Sequence, residues 1–145
     1  VDKPCVFCDI LSGKLTGWFV YQDDAACAFL DIRPLRRGHT LVVPRRHVPD
    51  LTTDGAAEAV AAVGVALRET ARLLKTRLPA DGVSVLQANG VAAGQEVFHL
   101  HFHLVPRWAG DRPLTNWSAD EAARNDLTAT HHLLAGPRSD TPAHA

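Results

Sequence analysis

The sequence contains no methionine, so the initiator residue was removed or lies outside this stretch of 145 residues. No apolar run approaches the roughly 20 residues that a bilayer crossing requires, and no signal-peptide pattern opens the chain. Neither sign of charge dominates. The formal net charge is −1, so no global field draws the protein to DNA, RNA or an acidic membrane, although a small anion needs only a local set of donors. Cysteine is sparse, and an odd number of three argues against a simple disulfide framework. No internal repeat is present. These absences point to a cytoplasmic protein with reduced thiols, bound to neither nucleic acid nor membrane.

What remains is ordinary globular composition, 46% hydrophobic and 21% charged, and 145 residues suffice for one domain with a real core. Val20-Tyr21 and Ala25 to Leu30 read as two short strands around Gln22-Asp23-Asp24. Thr40 to Val43 reads as a third, closed by Pro44. From Asp50 to Leu78 the period changes. Val60, Val63, Leu67, Ala71, Leu74 and Leu78 recur on one helical face, with Asp54 as the expected N-cap and Pro79 as the stop. Gly82 to Gln87 is a fourth strand, Asn89 to Glu96 a loop, and Val97 to Val105 a fifth strand ended by Pro106. Strands around one long helix with short links predict an antiparallel α+β domain. Beyond Trp108 the apolar pattern weakens. A short helix is expected over Asp120 to Leu134, and a mobile tail over Gly136 to Ala145, with His131, His132 and His144 read as solvated. Cys27, in the apolar run Ala25 to Leu30, reads as core.

The run His99-Leu100-His101-Phe102-His103 carries the chemistry. In a strand, residues i, i+2 and i+4 share a face. The three imidazoles would then line one side at ~6.5–7 Å intervals, with Leu100, Phe102 and Leu104 free to build the core. A polar solvent face is the bland reading, yet Ser, Thr, Lys or Glu would serve as well. Two reactive readings compete: a catalytic metal held by His-x-His pairs, or one nucleophilic imidazole whose neighbours handle protons and phosphate charge. Imidazole suits the second role because its pKa lies near working pH. Upstream, Gly90 and Gly94 would let backbone N–H groups approach an anion, and Asn89 and Gln95 add neutral donors. That loop favours a phosphate held against His101. Cys5-x-x-Cys8 reads as a redox dithiol, as coincidence, or as half of a tetrahedral zinc site; the βαβ context of a redox pair is missing.

The segment Gly94-Gln95-x-Val97-x-His99-x-His101-x-His103-x-Val105-Pro106-Arg107 resembles the signature of the histidine triad (HIT) family of nucleotide hydrolases and transferases. Three upstream blocks resemble the family in order: Cys5 to Ile10, Phe29 to Pro34, and Gly38 to His47. The resemblance implies a sheet of about five antiparallel strands, one long helix and a short N-terminal helix. It implies a HIT domain over residues 1–110 and a partly mobile extension over 111–145.

By the same resemblance, His101 attacks the α-phosphorus of a nucleotide derivative, giving a nucleotidyl-histidine that water then cleaves. Its ring would be oriented by the backbone carbonyl of His99. His103 would contact the phosphate and help protonate the leaving group, and His39 would share in phosphate or proton handling. Asp31 matches the residue that binds ribose hydroxyls. Val6, Phe7, Ile10, Phe29, Ile32 and Leu41 match apolar positions around the base. Asn89, Gln95 and the backbone from Gly94 to Val97 match the phosphate loop. Glu96 departs from the Ser or Thr of many relatives and is expected to offer backbone N–H at most, since a carboxylate would repel phosphate.

Some bacterial relatives complete a structural zinc site with residues matching His47 and His99, which makes Cys5, Cys8, His47 and His99 the expected ligands. No catalytic metal is implied. The implied ligand is a purine nucleotide or nucleotide conjugate. The implied activity is hydrolysis of a nucleoside phosphoramidate or adenylated compound, with dinucleoside polyphosphate cleavage or a nucleotide sensor as alternatives. The family generally forms homodimers, with the long helix and a strand near the interface. By location, Trp117 is assigned near a substrate of the other subunit.

Overall fold

The computed structural model describes residues 4–114 and 118–136. Trp117, His144 and the expected mobile tail beyond Gly136 lie outside the described residues. Chain order is α1 (Val6–Leu11), β1 (Phe19–Gln22), β2 (Ala26–Leu30), β3 (Thr40–Pro44), α2 (Ala56–Thr76), β4 (Gly82–Leu86), β5 (Phe102–Arg107), α3 (Glu121–Asn125) and α4 (Leu127–Ala135). The five strands form one antiparallel sheet in the order β1-β2-β3-β5-β4, the architecture expected of the α+β reading.

Alternation along the central strands sends residues to two different layers. From β2, Ala26, Ala28 and Leu30 pack with Val42, Val63, Ala66, Leu74 and Leu104 in the core shared with α2. Cys27 and Phe29 face the other way, joining Leu41, Val43 and Phe7 of α1. Both faces of β2 and β3 are therefore buried, and Cys27 is core as expected.

Several local expectations are corrected. Asp54 does not cap α2. The cap position is Gly55, in the left-handed region at φ +86° and without a side-chain cap bond, and the helix starts at Ala56. Its buried stripe is Ala56, Ala59, Val63, Ala66, Thr70 and Leu74, so the face is rotated from the Val60–Leu67–Ala71 line, and Leu67 and Ala71 are only half-buried. Small side chains let a helix lie close to a sheet, which a count of large apolar residues misses.

The fifth strand begins at Phe102, five residues later than expected, and runs through Pro106. In its register with β3, Val42 faces Phe102, so extending the ladder would set Pro44 opposite Leu100. Proline has no N–H to give. Instead, the Leu100 N–H donates to the Val48 carbonyl at 2.7 Å. His99 and His101 thus precede the strand, and only His103 lies within it. Burial does not alternate along the run: His99, Leu100 and His101 are all buried, Phe102 and His103 are half-buried, and Leu104 is fully buried.

The segment Asp120 to Leu134 forms two helices. Asp120 caps α3 by accepting from the Ala123 N–H at 3.0 Å. Leu134 of α4 is fully buried in the α2 core. His131 is not solvated. It is buried against Trp18, and its Nε2 bonds the Phe19 carbonyl at 2.7 Å, whereas His132 is exposed. The helical reading of this segment holds, but its weak apolar pattern does not show the docking, which runs through Leu134, Leu127, the buried Thr130 and the hydrogen-bonded His131. No helix among the described residues is long and apolar enough to cross a membrane.

Candidate active site and metal centre

A cleft of about 980 Å³ opens on the sheet face opposite α2. That is within the range of small-molecule sites. Phe29 and Leu41 rise from β2 and β3, and Val6, Phe7 and Ile10 come from α1. Asp31 and Ile32 stand where β2 ends, Gly94 and Glu96 come from the glycine loop, and His101 and His103 complete the wall. Phe7 packs edge-on against both Phe29 and His101, with centroids at 5.4 and 5.1 Å, so one ring braces the apolar wall and the imidazole.

Hydrogen-bond partners assign the protons on the histidines. His101 Nδ1 lies 2.7 Å from the His99 carbonyl oxygen. A carbonyl only accepts, so Nδ1 carries the proton and Nε2 keeps its lone pair. The Leu35 N–H donates to His39 Nδ1 at 2.9 Å. That places the proton of His39 on Nε2, which lies 2.9 Å from His103 Nδ1. His103 Nδ1 must then accept, leaving a donor at its Nε2. Asp31 Oδ1 accepts the Arg33 N–H at 2.8 Å, while Oδ2 is 3.6 Å from His39 Nε2, too far for a hydrogen bond, and retains capacity for a hydroxyl.

All three rings are held neutral. Burial, then repulsion from His101, pushes His39 down to about 3. Burial, then His39 and His101, does the same for His103 at about 3. Burial also lowers His101, partly offset by the His99 carbonyl and Asp31.

Two groups of side chains bring metal-ligating atoms within 4.8 Å of one another among the described residues. The first is Cys5, Cys8, His47 and His99. Its Sγ–Nδ1 separations are 3.5 and 3.6 Å, and the two Nδ1 atoms are 3.1 Å apart. A tetrahedral zinc with ordinary bond lengths requires S···N near ~3.6 Å and N···N near ~3.3 Å. His99 Nε2 donates to the Pro44 carbonyl at 2.8 Å, which leaves Nδ1 unprotonated toward the thiols. Donor types, spacing and tautomer all fit zinc. The second group is Asp31, His39 and His103. There the proton on His39 Nε2 stands in the way of ligation, and its Nδ1 is tied to Leu35. This group reads as a hydrogen-bond relay.

Not every expected residue reaches the cleft. His39 and His99 act from behind its wall. Gln95 is buried with its amide used up by the loop: Oε1 accepts from the Gly90 N–H, and Nε2 donates to the carbonyls of Pro49 and Val97. Asn89 bonds the Leu51 N–H and Gln87. Both side chains shape the loop. Glu96 does line the cleft, turned toward Arg33. Reading the sequence missed Trp18, Arg33 and the end of β4 from Leu86, all of which line it too. Only Arg33 carried a signal, as a cation two residues from the expected site residue Asp31.

The HIT domain family matches residues 13–110. An uncharacterised HIT-like protein of Mycoplasma genitalium is 38% identical over 133 residues, covering 92% of this chain and 93% of that protein. A HIT-like protein of Bartonella henselae has a similar structure, with TM-score 0.77, 32% identity, and 92% and 96% of the two chains covered. So does a zinc-bound histidine triad family protein of Mycobacterium smegmatis, with TM-score 0.72, 40% identity, and 90% and 94% covered.

The neutral imidazoles make stability depend on pH in one direction. His39 titrates at about 3 when folded, against an ordinary 6.5. Below 6.5 the unfolded chain binds a proton that the folded chain refuses, so stability falls as pH drops from 6.5 toward 3 and is unaffected above 6.5. Denaturant unfolding is expected to lose on the order of 2 kcal/mol from His39 alone between pH 7 and pH 5. His39→Gln should shrink the loss by about that amount, and an equal loss in both proteins would contradict the assignment.

Proposed function

This chain belongs to the HIT family, and from that premise we propose that it hydrolyses a nucleoside phosphoramidate or adenylated compound at the α-phosphate, through a covalent nucleotidyl intermediate on His101. One observation carries the reading: the 2.7 Å bond from His101 Nδ1–H to the His99 carbonyl leaves Nε2 unprotonated on a cleft-lining ring. The base lies against Phe7, Phe29 and Leu41, and Asp31 Oδ2 accepts ribose hydroxyls. Nε2 attacks the α-phosphorus, and the bond to the leaving group breaks as the departing atom takes a proton from solvent at the open mouth; water then displaces His101, gives its own proton back to solvent, and a nucleoside monophosphate departs. His103 donates a hydrogen bond from Nε2 to the phosphate or departing atom, and His39 holds that tautomer. A neutral imidazole pushed down to about 3 stabilises by donating that bond rather than by supplying an acidic proton. No catalytic metal enters, because the relay keeps a proton on His39 Nε2.

Cys5, Cys8, His47 and His99 would hold a structural zinc that ties α1 to the segment carrying His101. Reduced thiols at that site support a cytoplasmic setting. We also read the protein as a homodimer. Support comes from β4, an edge strand of the sheet, and from exposed Val85 on it and Val65 on α2. Native mass spectrometry of protein purified without chelator should show a dimer with one zinc per chain. Metal-free protein would remove the zinc assignment, and a monomer the dimer.

A rapid alkaline quench with adenosine phosphoramidate, followed by peptide mass spectrometry, should find a nucleotidyl adduct on His101. His101→Ala should form none and lose at least ~1,000-fold in turnover. Near wild-type turnover in that variant would overturn the mechanism. A sensor would bind nucleotide without an adduct.

A further inference from the structure

Arg33 and Glu96 meet across the cleft, with Nη2 and Oε2 2.6 Å apart. Both line the cleft together with His101 and His103. The pair joins the segment after Asp31 to the end of the glycine loop, which the proposed function assigns to ribose and to phosphate. Arg33 is anchored because its N–H is held by Asp31 Oδ1 at 2.8 Å. Glu96 is anchored because its neighbour Gln95 is stitched into the loop at Gly90, Pro49 and Val97. The side chains themselves are 64% and 70% exposed, so the pair sits at the mouth rather than in the floor. A bridge this exposed adds little to stability and opens readily. It belongs to neither the nucleophile nor the metal centre.

We propose that the Arg33–Glu96 bridge sets specificity for the leaving group, disfavouring leaving groups that carry further phosphates relative to amines. The inference rests on the hydrolase reading above. In-line attack by His101 sends the leaving group away from Nε2, and with His39, His99 and Leu100 fully buried behind that ring the space open to it is the mouth of the cleft. An anionic leaving group there meets the Glu96 carboxylate and must take Arg33 away from it. A neutral amine meets a neutral pair, and the ammonium it becomes after release is compatible with a carboxylate. Remove the charge of Glu96, and Arg33 becomes a free guanidinium, whose planar fork suits phosphate oxygens. Remove the charge of Arg33, and Glu96 faces the leaving group unmasked.

The test compares kcat/KM for a dinucleoside polyphosphate and for an adenosine phosphoramidate in the same preparations. Glu96→Gln is expected to raise the polyphosphate-to-phosphoramidate ratio roughly fivefold, the scale of one exposed unit charge at short range. Arg33→Gln should lower the ratio by a similar factor. Both shifts should shrink as salt is raised, since the mouth is solvent-screened. Turnover with an unchanged ratio, or a shift that ignores salt, would overturn the specificity role and leave the hydrolase reading standing. Absence of turnover of either compound in the wild-type protein would overturn both.

Discussion

The hydrogen bond from His101 Nδ1–H to the carbonyl of His99 is the contact on which the rest of the site depends. It selects the tautomer, and the tautomer decides whether the buried ring is a nucleophile or a mere donor. The bond is only as well placed as His99, which is itself fixed from three directions. Its Nε2 bonds the Pro44 carbonyl, its Nδ1 faces the thiols of Cys5 and Cys8, and Phe7 packs on its ring. Cys5 is also the N-cap of α1, and α1 supplies Val6, Phe7 and Ile10 to the cleft. The donor set for zinc, the apolar wall and the orientation of His101 are therefore one mechanical unit, with His99 as the shared residue.

A second unit runs from the Leu35 N–H through His39 to His103. Its fixed polarity comes from a backbone amide, which cannot reverse its role. Burial keeps both rings neutral, as a charge there would face other imidazoles with little water to screen it. The three histidines of the run thus differ by partner rather than by residue type. His99 orients and offers a metal ligand, His101 presents a lone pair, and His103 presents a donor.

Much of this was legible in the sequence, for reasons that are local. Alternation in β2 and β3, the long amphipathic helix and the spacing of the histidines all follow from periods that a chain cannot hide. The Cys5-x-x-Cys8 pair and the HIT-like blocks named the candidate ligands and candidate cleft residues, and the geometry brings most of them together. What escaped depends on contacts between distant segments. Pro44 ends the β3–β5 ladder, yet nothing near His99 announces that. His131 looked solvated because its partners, Trp18 and the Phe19 carbonyl, lie in the first strand region. Gln95 looked like a phosphate donor because its amide was free on paper, whereas the folded loop uses both of its ends. Arg33 and Glu96 are 63 positions apart, and only the fold shows that they meet.

The central claim concerns where protons sit, so the most direct measurement is long-range proton–nitrogen NMR correlation of the imidazole rings at neutral pH. The account predicts a neutral His101 protonated at Nδ1, with neutral His39 and His103 protonated at Nε2. A cationic His101, or one carrying its proton on Nε2, would contradict it.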